Sequence, residues 1–118
     1  ERKRAILRRY KELLAPLPGV RMNPEPANTL NGAWMPTAMF APQTGVTRER
    51  LQAAFAAESI DARVFFHPLS TLPMFGSQAG APNARDIAAR SINLPSFHDM
   101  TDAEQQRVVA VIHAIQNA

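Results

Sequence analysis

The chain of 118 residues contains no cysteine. This absence excludes disulfides, thiol nucleophiles and cysteine-ligated zinc, and it agrees with a reducing cytoplasm. Long apolar runs are also missing, since none approaches the roughly 20 residues that span a bilayer. No signal-peptide pattern opens the chain. We therefore expect a soluble, cytoplasmic protein that does not associate with membranes.

Glycine is sparse as well, with five residues that stand singly along the chain. This spacing excludes a Gly-rich phosphate-binding loop. The three histidines, His67, His98 and His113, do not have metal-ligand spacing, and no carboxylate cluster accompanies them. No nucleophile elbow is present. The sequence therefore predicts no metal site within this chain.

Basic residues, by contrast, are concentrated at the start of the chain. Six of the first eleven residues are basic, namely Arg2, Lys3, Arg4, Arg8, Arg9 and Lys11, which include both lysines. A basic cluster can bind nucleic acid, but aromatic residues are not interleaved here as a nucleic-acid surface would prefer. We interpret the cluster as the solvated face of a helix, with an anionic partner as the alternative, and predict no nucleic-acid partner.

The apolar residues of the same segment predict a helix that runs to about Leu14. They lie on one helical face, at Ile6, Leu7, Tyr10, Leu13 and Leu14. Proline and glycine at 16–19 end the helix. Glu1 is followed at once by helix-forming residues without a capping residue, so we expect a piece of a longer protein. Separated from that protein, the chain is expected to self-associate through this helix.

Three further helices are predicted. One runs from about Arg48 to Glu58, with Thr47 as its N-cap and an inner stripe of Leu51, Ala54 and Phe55. A short helix covers 82–90. The last begins at the capping box formed by Thr101 and Glu104, and its buried face is marked by Val108, Val111, Ile112 and Ile115.

Short strand candidates alternate with these helices, at 20–24, 33–42, 62–66 and 91–95. Pro36 favours an edge position or a bulge for the second strand. The fold class that follows is α+β, a small and mostly antiparallel sheet packed with helices, forming one domain over 1–118.

Four side chains carry individual predictions. We expect Trp34 in the core, a loop hydrogen bond at His98, and a surface position for His113. His67 ends a strand and is held by Pro68, so a ligand contact and a structural role both remain open for it.

Four segments, in order, resemble the C-terminal end of the DegT/DnrJ/EryC1/StrS sugar aminotransferases. They read RRYKELLAPLPGV, AWMPTAMF, SIDARVFFHPLSTLPMF and PNARDIAARSINLPSFHDMTDAE. The most specific parts are the aromatic–x–Pro–Leu loop at 66–75 and the INLP…T-D-x-E ending. The resemblance is greatest to perosamine synthases, whose loop often has tyrosine at the position of His67.

The resemblance implies the small domain of a fold-type I pyridoxal-phosphate-dependent transferase. The complete protein would be a homodimer that transfers an amino group from an amino acid such as glutamate to a nucleotide-linked keto-deoxysugar. The lysine that holds the cofactor would lie in the large domain. The resemblance thus implies no catalytic residue within this chain, and the fragment alone is expected to bind no cofactor and to be inactive. Substrate-binding residues are expected in the loop, at Phe66, His67, Ser70, Thr71, Met74 and Phe75.

Two alternatives remain at this point. The chain would be a stand-alone binding module that reuses the fold, or the small domain of a pyridoxal-phosphate-dependent sugar dehydratase, in which histidine replaces the cofactor lysine. The residue that separates transaminase from dehydratase lies outside these 118 positions.

Overall fold

The computed structural model describes residues 1–75 and 81–117. Within these ranges the helices are α1 (Arg2–Leu14), α2 (Arg48–Ala57), α3 (Pro82–Ala89) and α4 (Asp102–Asn117). The strands are β1 (Val20–Met22), β2 (Thr37–Phe40), β3 (Arg63–Val64) and β4 (Ser91–Asn93). Each helix agrees with its prediction to within about a residue, whereas every strand is shorter than predicted.

The four strands form one sheet in the order β1-β2-β4-β3, and every pairing is antiparallel. Ala38 in β2 lies opposite Ile92 in β4, and Ile92 also lies opposite Val64 in β3. Both Ala38 and Ile92 are completely buried. The predicted α+β fold with a small antiparallel sheet is therefore confirmed.

The edge position or bulge expected from Pro36 is wrong. Strand β2 lies inside the sheet, between β1 and β4, and begins only at Thr37. Pro36 is buried just before it, and its carbonyl accepts a hydrogen bond from the N–H of Leu94 at 2.8 Å. A proline has no N–H to give to a ladder, so the regular strand starts after it.

One hydrophobic core joins the sheet to α1, α2 and α4. Its largest fully buried members include Tyr10, Phe40, Phe55 and Ile112. The apolar stripes predicted for the first, second and last helices are confirmed. Leu13 and Ala54 are partly buried and pack against the edge of the core. Because α1 turns its apolar face onto α4 and the core, that face is not the exposed surface expected to drive self-association.

The basic residues of α1 do more than face solvent, which corrects the interpretation of that face. The guanidinium of Arg2 donates to the carbonyl of His98 at 2.9 Å, and Lys3 Nζ donates to Ser96 Oγ at 3.1 Å. Arg9 forms an ion pair with Asp102. These side chains fasten the segment between β4 and α4 to the first helix, whereas Arg8 is exposed.

Side-chain caps fix the starts of two helices, as predicted. Thr101 Oγ1 accepts from the N–H of Glu104 at 3.2 Å, and Glu104 Oε2 accepts from the N–H of Thr101 at 2.7 Å. Thr47 Oγ1 accepts from the N–H of Arg50 at 3.3 Å. Both devices satisfy backbone donors that a helix start leaves open. Across 1–75 and 81–117, no helix has the length and apolar character needed to cross a membrane.

Candidate functional site

The loop at 66–75 leaves the short edge strand β3 and folds into two successive 3-10 turns. They cover Leu69–Thr71 and Pro73–Phe75. The N–H of Thr71 donates to the carbonyl of Pro68 at 2.9 Å, and the Thr71 hydroxyl donates to the same carbonyl at 2.7 Å. Proline fixes its own φ angle, so each turn starts from a restricted backbone. The loop therefore holds its shape largely through local bonds.

Most of the predicted substrate-binding side chains are presented to solvent. Phe66, His67, Thr71, Met74 and Phe75 are exposed, and Ser70 is half-buried. The neighbouring Leu69 is exposed too. Exposed apolar side chains that cluster on a protein surface often mark an interaction site or a ligand-binding site. Because the His67 side chain is exposed, a structural role that requires a buried ring is excluded.

The hydroxyl of Ser70 is an unusual feature of this loop. Its Oγ atom is buried, yet it has no hydrogen-bond partner among the described residues. A buried polar group without a partner is costly, and such a group in a native structure calls for an explanation. A ligand atom or a further protein segment that reaches Ser70 would satisfy it.

The prediction that Trp34 belongs to the core is wrong, and this side chain instead contacts the loop at Phe66. Its indole is 72% exposed and stacks on the ring of Phe66, with centroids 5.9 Å apart and planes inclined by 22°. Trp34 lies before β2, where Ala33 and Pro36 are the residues that turn inward. Pro36 is the feature of the sequence that could have indicated the exposed position of Trp34, because a proline prevents regular strand pairing close to it.

A cavity of about 380 Å³ opens beside β3 and β4. Apolar residues that line it include Met35, Ile60, Leu94 and Phe97, and charged ones are Asp61, Arg63, Glu104 and Arg107. The six predicted loop residues do not line it. Two lining residues are nevertheless close in sequence to the aromatic side chains: Met35 follows Trp34, and Arg63 precedes the Phe65–Phe66 pair.

Two of the charged side chains that line this cavity have local hydrogen-bond partners. Arg63 and Asp61 lie 2.9 Å apart, and this hydrogen bond raises the pKa of the Arg63 guanidinium. The pKa of Glu104 is lowered by the N–H of Thr101 that donates to its carboxylate. Both Arg63 and Glu104 are therefore charged at neutral pH.

The remaining histidines stand apart from the loop. The backbone carbonyl of His98 accepts from Arg2 at 2.9 Å, whereas the loop hydrogen bond expected of the His98 side chain stays a prediction. His113 is half-buried on α4 rather than freely exposed. In the part of the chain that the structure describes, no group of three or more histidine or acidic side chains is placed to hold a metal ion.

Comparison with known proteins places this arrangement in a family. The model of the DegT/DnrJ/EryC1/StrS aminotransferase family matches residues 1–113. EpsN of Bacillus subtilis (strain 168), provisionally named a pyridoxal phosphate-dependent aminotransferase, is 34% identical over 95% of this chain and 30% of its own length. GDP-perosamine synthase of Escherichia coli O157:H7 is 32% identical over 87% of this chain and 28% of its own length.

A solved structure supports the same assignment. DesI, crystallised in the presence of its TDP-sugar product, superposes with a TM-score of 0.84 at 27% identity, over 98% of this chain and 30% of that one. The chain thus spans about 30% of the length of the relatives that it matches. The match includes all four strands, the loop after β3 and most of α4. The chain belongs to the DegT/DnrJ/EryC1/StrS aminotransferase family.

Proposed function

We propose that residues 1–118 form the C-terminal small domain of a pyridoxal-phosphate-dependent aminotransferase. The complete protein moves an amino group from an amino acid such as glutamate to the keto carbon of a nucleotide-linked deoxysugar. One observation carries this proposal: the family model matches residues 1–113, while the chain spans only about 30% of the relatives' length. One of the matched proteins is named GDP-perosamine synthase, and another was crystallised in the presence of its TDP-sugar product.

The residues of this chain do not by themselves fit the cofactor. A family-type site needs a lysine at the cleft, whereas Lys3 and Lys11 both lie on α1. Lys3 Nζ already donates to Ser96 Oγ. The cofactor, which supplies the electron sink for amino transfer, is therefore assigned to the rest of the complete protein.

The contribution of this chain is to bind and orient the substrate through the loop. The exposed rings of Phe66 and Phe75 and the thioether of Met74 offer apolar contact to the sugar. His67, Ser70 and Thr71 offer polar atoms, and the unpartnered Ser70 hydroxyl is the one that gains most from a ligand. The two 3-10 turns keep these groups in place, which lowers the entropy lost on binding.

The same exposed apolar side chains also require cover in the complete protein. Contiguous apolar surface of more than a few hundred Å² is uncommon on isolated monomers. We assign this cover to the large domain and to the second subunit of a homodimer, with substrate bound between them.

The complete protein, expressed with pyridoxal phosphate, provides the test. It would be incubated with glutamate and a panel of nucleotide-linked keto-deoxysugars, and the aminated sugar and 2-oxoglutarate would be quantified by mass spectrometry. We expect the two products in equal amounts, since each amino group gained by the sugar leaves one glutamate as its keto acid. Loss of a sugar hydroxyl, with no amino group gained by the sugar, would instead support the dehydratase alternative.

The 118-residue chain alone is the matched control for this assay. We expect it to form no aminated sugar and to retain no pyridoxal phosphate after gel filtration. A retained visible absorbance band that disappears on Lys3→Met or Lys11→Met substitution would contradict the assignment of the cofactor to another domain.

A further inference from the structure

The backbone before β2 is built to hold Trp34 outward. Ala33 is 1% exposed and has a φ of 54°, in the left-handed region that residues with a Cβ atom rarely adopt. Its N–H donates to Asn31 Oδ1 at 2.8 Å, which stabilises this turn. Strained backbone of this kind is often found where a side chain has a functional position. Here it buries a small residue and leaves the largest side chain of the segment in solvent.

The segment is fixed on the other side of Trp34 by the side chain of Asn23. Its Nδ2 donates to the carbonyl of Met35 at 3.0 Å, and its Oδ1 accepts from the N–H of Thr37 at 2.7 Å. The amide of an asparagine can donate and accept at once, so Asn23 restrains the backbone on both sides of Pro36. The backbone that follows Trp34 is therefore restrained by hydrogen bonds within the chain.

The aromatic contacts of Trp34 occupy one part of its surface. Phe66 stacks on it at an angle of 22°, and Phe65 meets Phe66 edge-on, with centroids 5.7 Å apart and an angle of 67°. The indole nevertheless remains 72% exposed. The three rings thus form a small platform whose end member, Trp34, presents an open π-face.

The cavity lined by Met35 and Arg63, which are close to these rings along the chain, is of suitable size for a small ring compound. Its volume is about 380 Å³, within the range of roughly 300 to 1,000 Å³ that is usual for small-molecule sites. Met35, which follows Trp34, and Arg63, which precedes Phe65 by two positions, both line it. Trp34 and Phe65 do not line the cavity themselves, but each lies within two positions of a residue that does.

We propose that the open face of Trp34 binds the nucleobase of the nucleotide-linked substrate by stacking. This inference rests on the proposed function and adds to the predicted loop a residue from a different part of the chain. A flat indole that is already stacked on one ring extends that stack most favourably with another flat ring. Stacking tolerates every base, because each has a π-face. Trp34 is accordingly a binding residue for the nucleotide half of the substrate.

The test is a steady-state and binding study of Trp34→Leu in the complete protein. We expect the KM for the nucleotide-linked keto-deoxysugar, and the Kd of the matching nucleoside diphosphate by calorimetry, to rise by roughly 5- to 100-fold. We expect kcat to change by less than about threefold, because stacking acts equally in the ground and transition states. Trp34→Phe, which keeps a smaller flat ring, should recover part of the affinity.

Two controls make the outcome specific. Leu30→Ala changes another exposed apolar side chain of the same linking segment and should leave both constants unchanged. The keto-deoxysugar 1-phosphate, which lacks a base, should be converted equally well by wild type and Trp34→Leu. If Trp34→Leu impairs that truncated substrate just as strongly, Trp34 contacts the sugar and the nucleobase assignment is wrong.

The failure of this inference is distinguishable from failure of the proposed function. Unchanged KM and Kd in Trp34→Leu, in a protein whose wild type aminates nucleotide sugars, would overturn the stacking role alone. A wild-type protein that aminates none of the sugars would overturn the proposed function and the stacking role together.

Discussion

The guanidinium of Arg9 holds the carboxylate of Asp102 through two hydrogen bonds, from Nε to Oδ1 at 2.5 Å and from Nη2 to Oδ2 at 3.2 Å. The pair joins the middle of α1 to the first residue of α4 across 93 positions of sequence. This hydrogen bonding lowers the pKa of Asp102 and raises that of Arg9. It is a tertiary contact that the basic cluster alone did not indicate.

The first prediction concerns acid stability. Because the pKa of Asp102 is lower in the folded chain, its contribution is present above the unfolded pKa of about 4 and is lost as pH falls through the folded value. We expect the Tm of Asp102→Asn to be slightly below that of the wild type at neutral pH. In acid the two Tm values should become equal. Both side chains are well exposed, so added salt should also reduce the difference.

A double-mutant cycle checks that this effect belongs to the pair. Arg9→Gln should cause a similar loss, and the double variant should lose less than the sum of the two single changes. Additive losses that persist at low pH would show that the ion pair is not their cause.

The second prediction concerns the only tyrosine of the chain. Tyr10 is completely buried, and its hydroxyl donates to the carbonyl of Pro95 at 2.9 Å. Tyr10→Phe should lower the free energy of unfolding by about 0.5–1.5 kcal/mol, the usual value of such a bond. Urea denaturation of both proteins at neutral pH measures the difference.

Burial also raises the pKa of Tyr10 in the folded state. Its protonated form is favoured by folding, so this contribution is complete below the unfolded pKa of about 10 and is lost at higher pH. We expect the near-ultraviolet absorbance of tyrosinate to rise only as the chain unfolds. A tyrosine that ionises at its ordinary pKa while the circular dichroism stays native would refute the buried position.

The third prediction concerns His67 in the complete protein. Its side chain is exposed, so His67→Ala should change stability by less than about 0.5 kcal/mol. If the ring contacts substrate, loss of one hydrogen bond of roughly 0.5–1.5 kcal/mol should reduce kcat/KM by about two- to tenfold. Steady-state kinetics and thermal melting on the same sample give both values. A destabilised variant with normal kcat/KM would end the substrate-binding role of His67.

The fourth prediction concerns self-association of the isolated chain. We expect concentration-dependent dimers or larger species in light scattering, formed through the exposed side chains of Phe66, Leu69 and Met74. Leu69→Ser together with Met74→Ser should shift the chain towards monomer. Arg8→Glu on the outer face of α1 should have little effect. A chain that is monomeric at high concentration would contradict the prediction, and a response to Arg8→Glu alone would restore the first helix as the contact.

Parts of the candidate site were predictable from the sequence because they are local. The loop at 66–75 was identified by its prolines and aromatics, and its two 3-10 turns close through hydrogen bonds between residues three apart. Trp34 was not identified as part of the site, since its partner Phe66 is 32 positions away and Pro36 indicated only that regular strand pairing stops near it. The charged side chains that line the cavity were missed for the same reason, because Arg63 and Arg107 belong to different elements.

The sequence by itself determined where the helices start and end and which family the chain belongs to. Caps such as Thr101 and Glu104, breakers such as Pro16, and motif order act over a few residues, so they can be read without a structure. Only the tertiary structure decided the strand order, the inward turn of Pro36 with Trp34 left outside, and the fastening of basic side chains onto the segment before α4. The physical reason is that burial depends on which distant surfaces meet, and that is set by packing the whole chain rather than by any one segment.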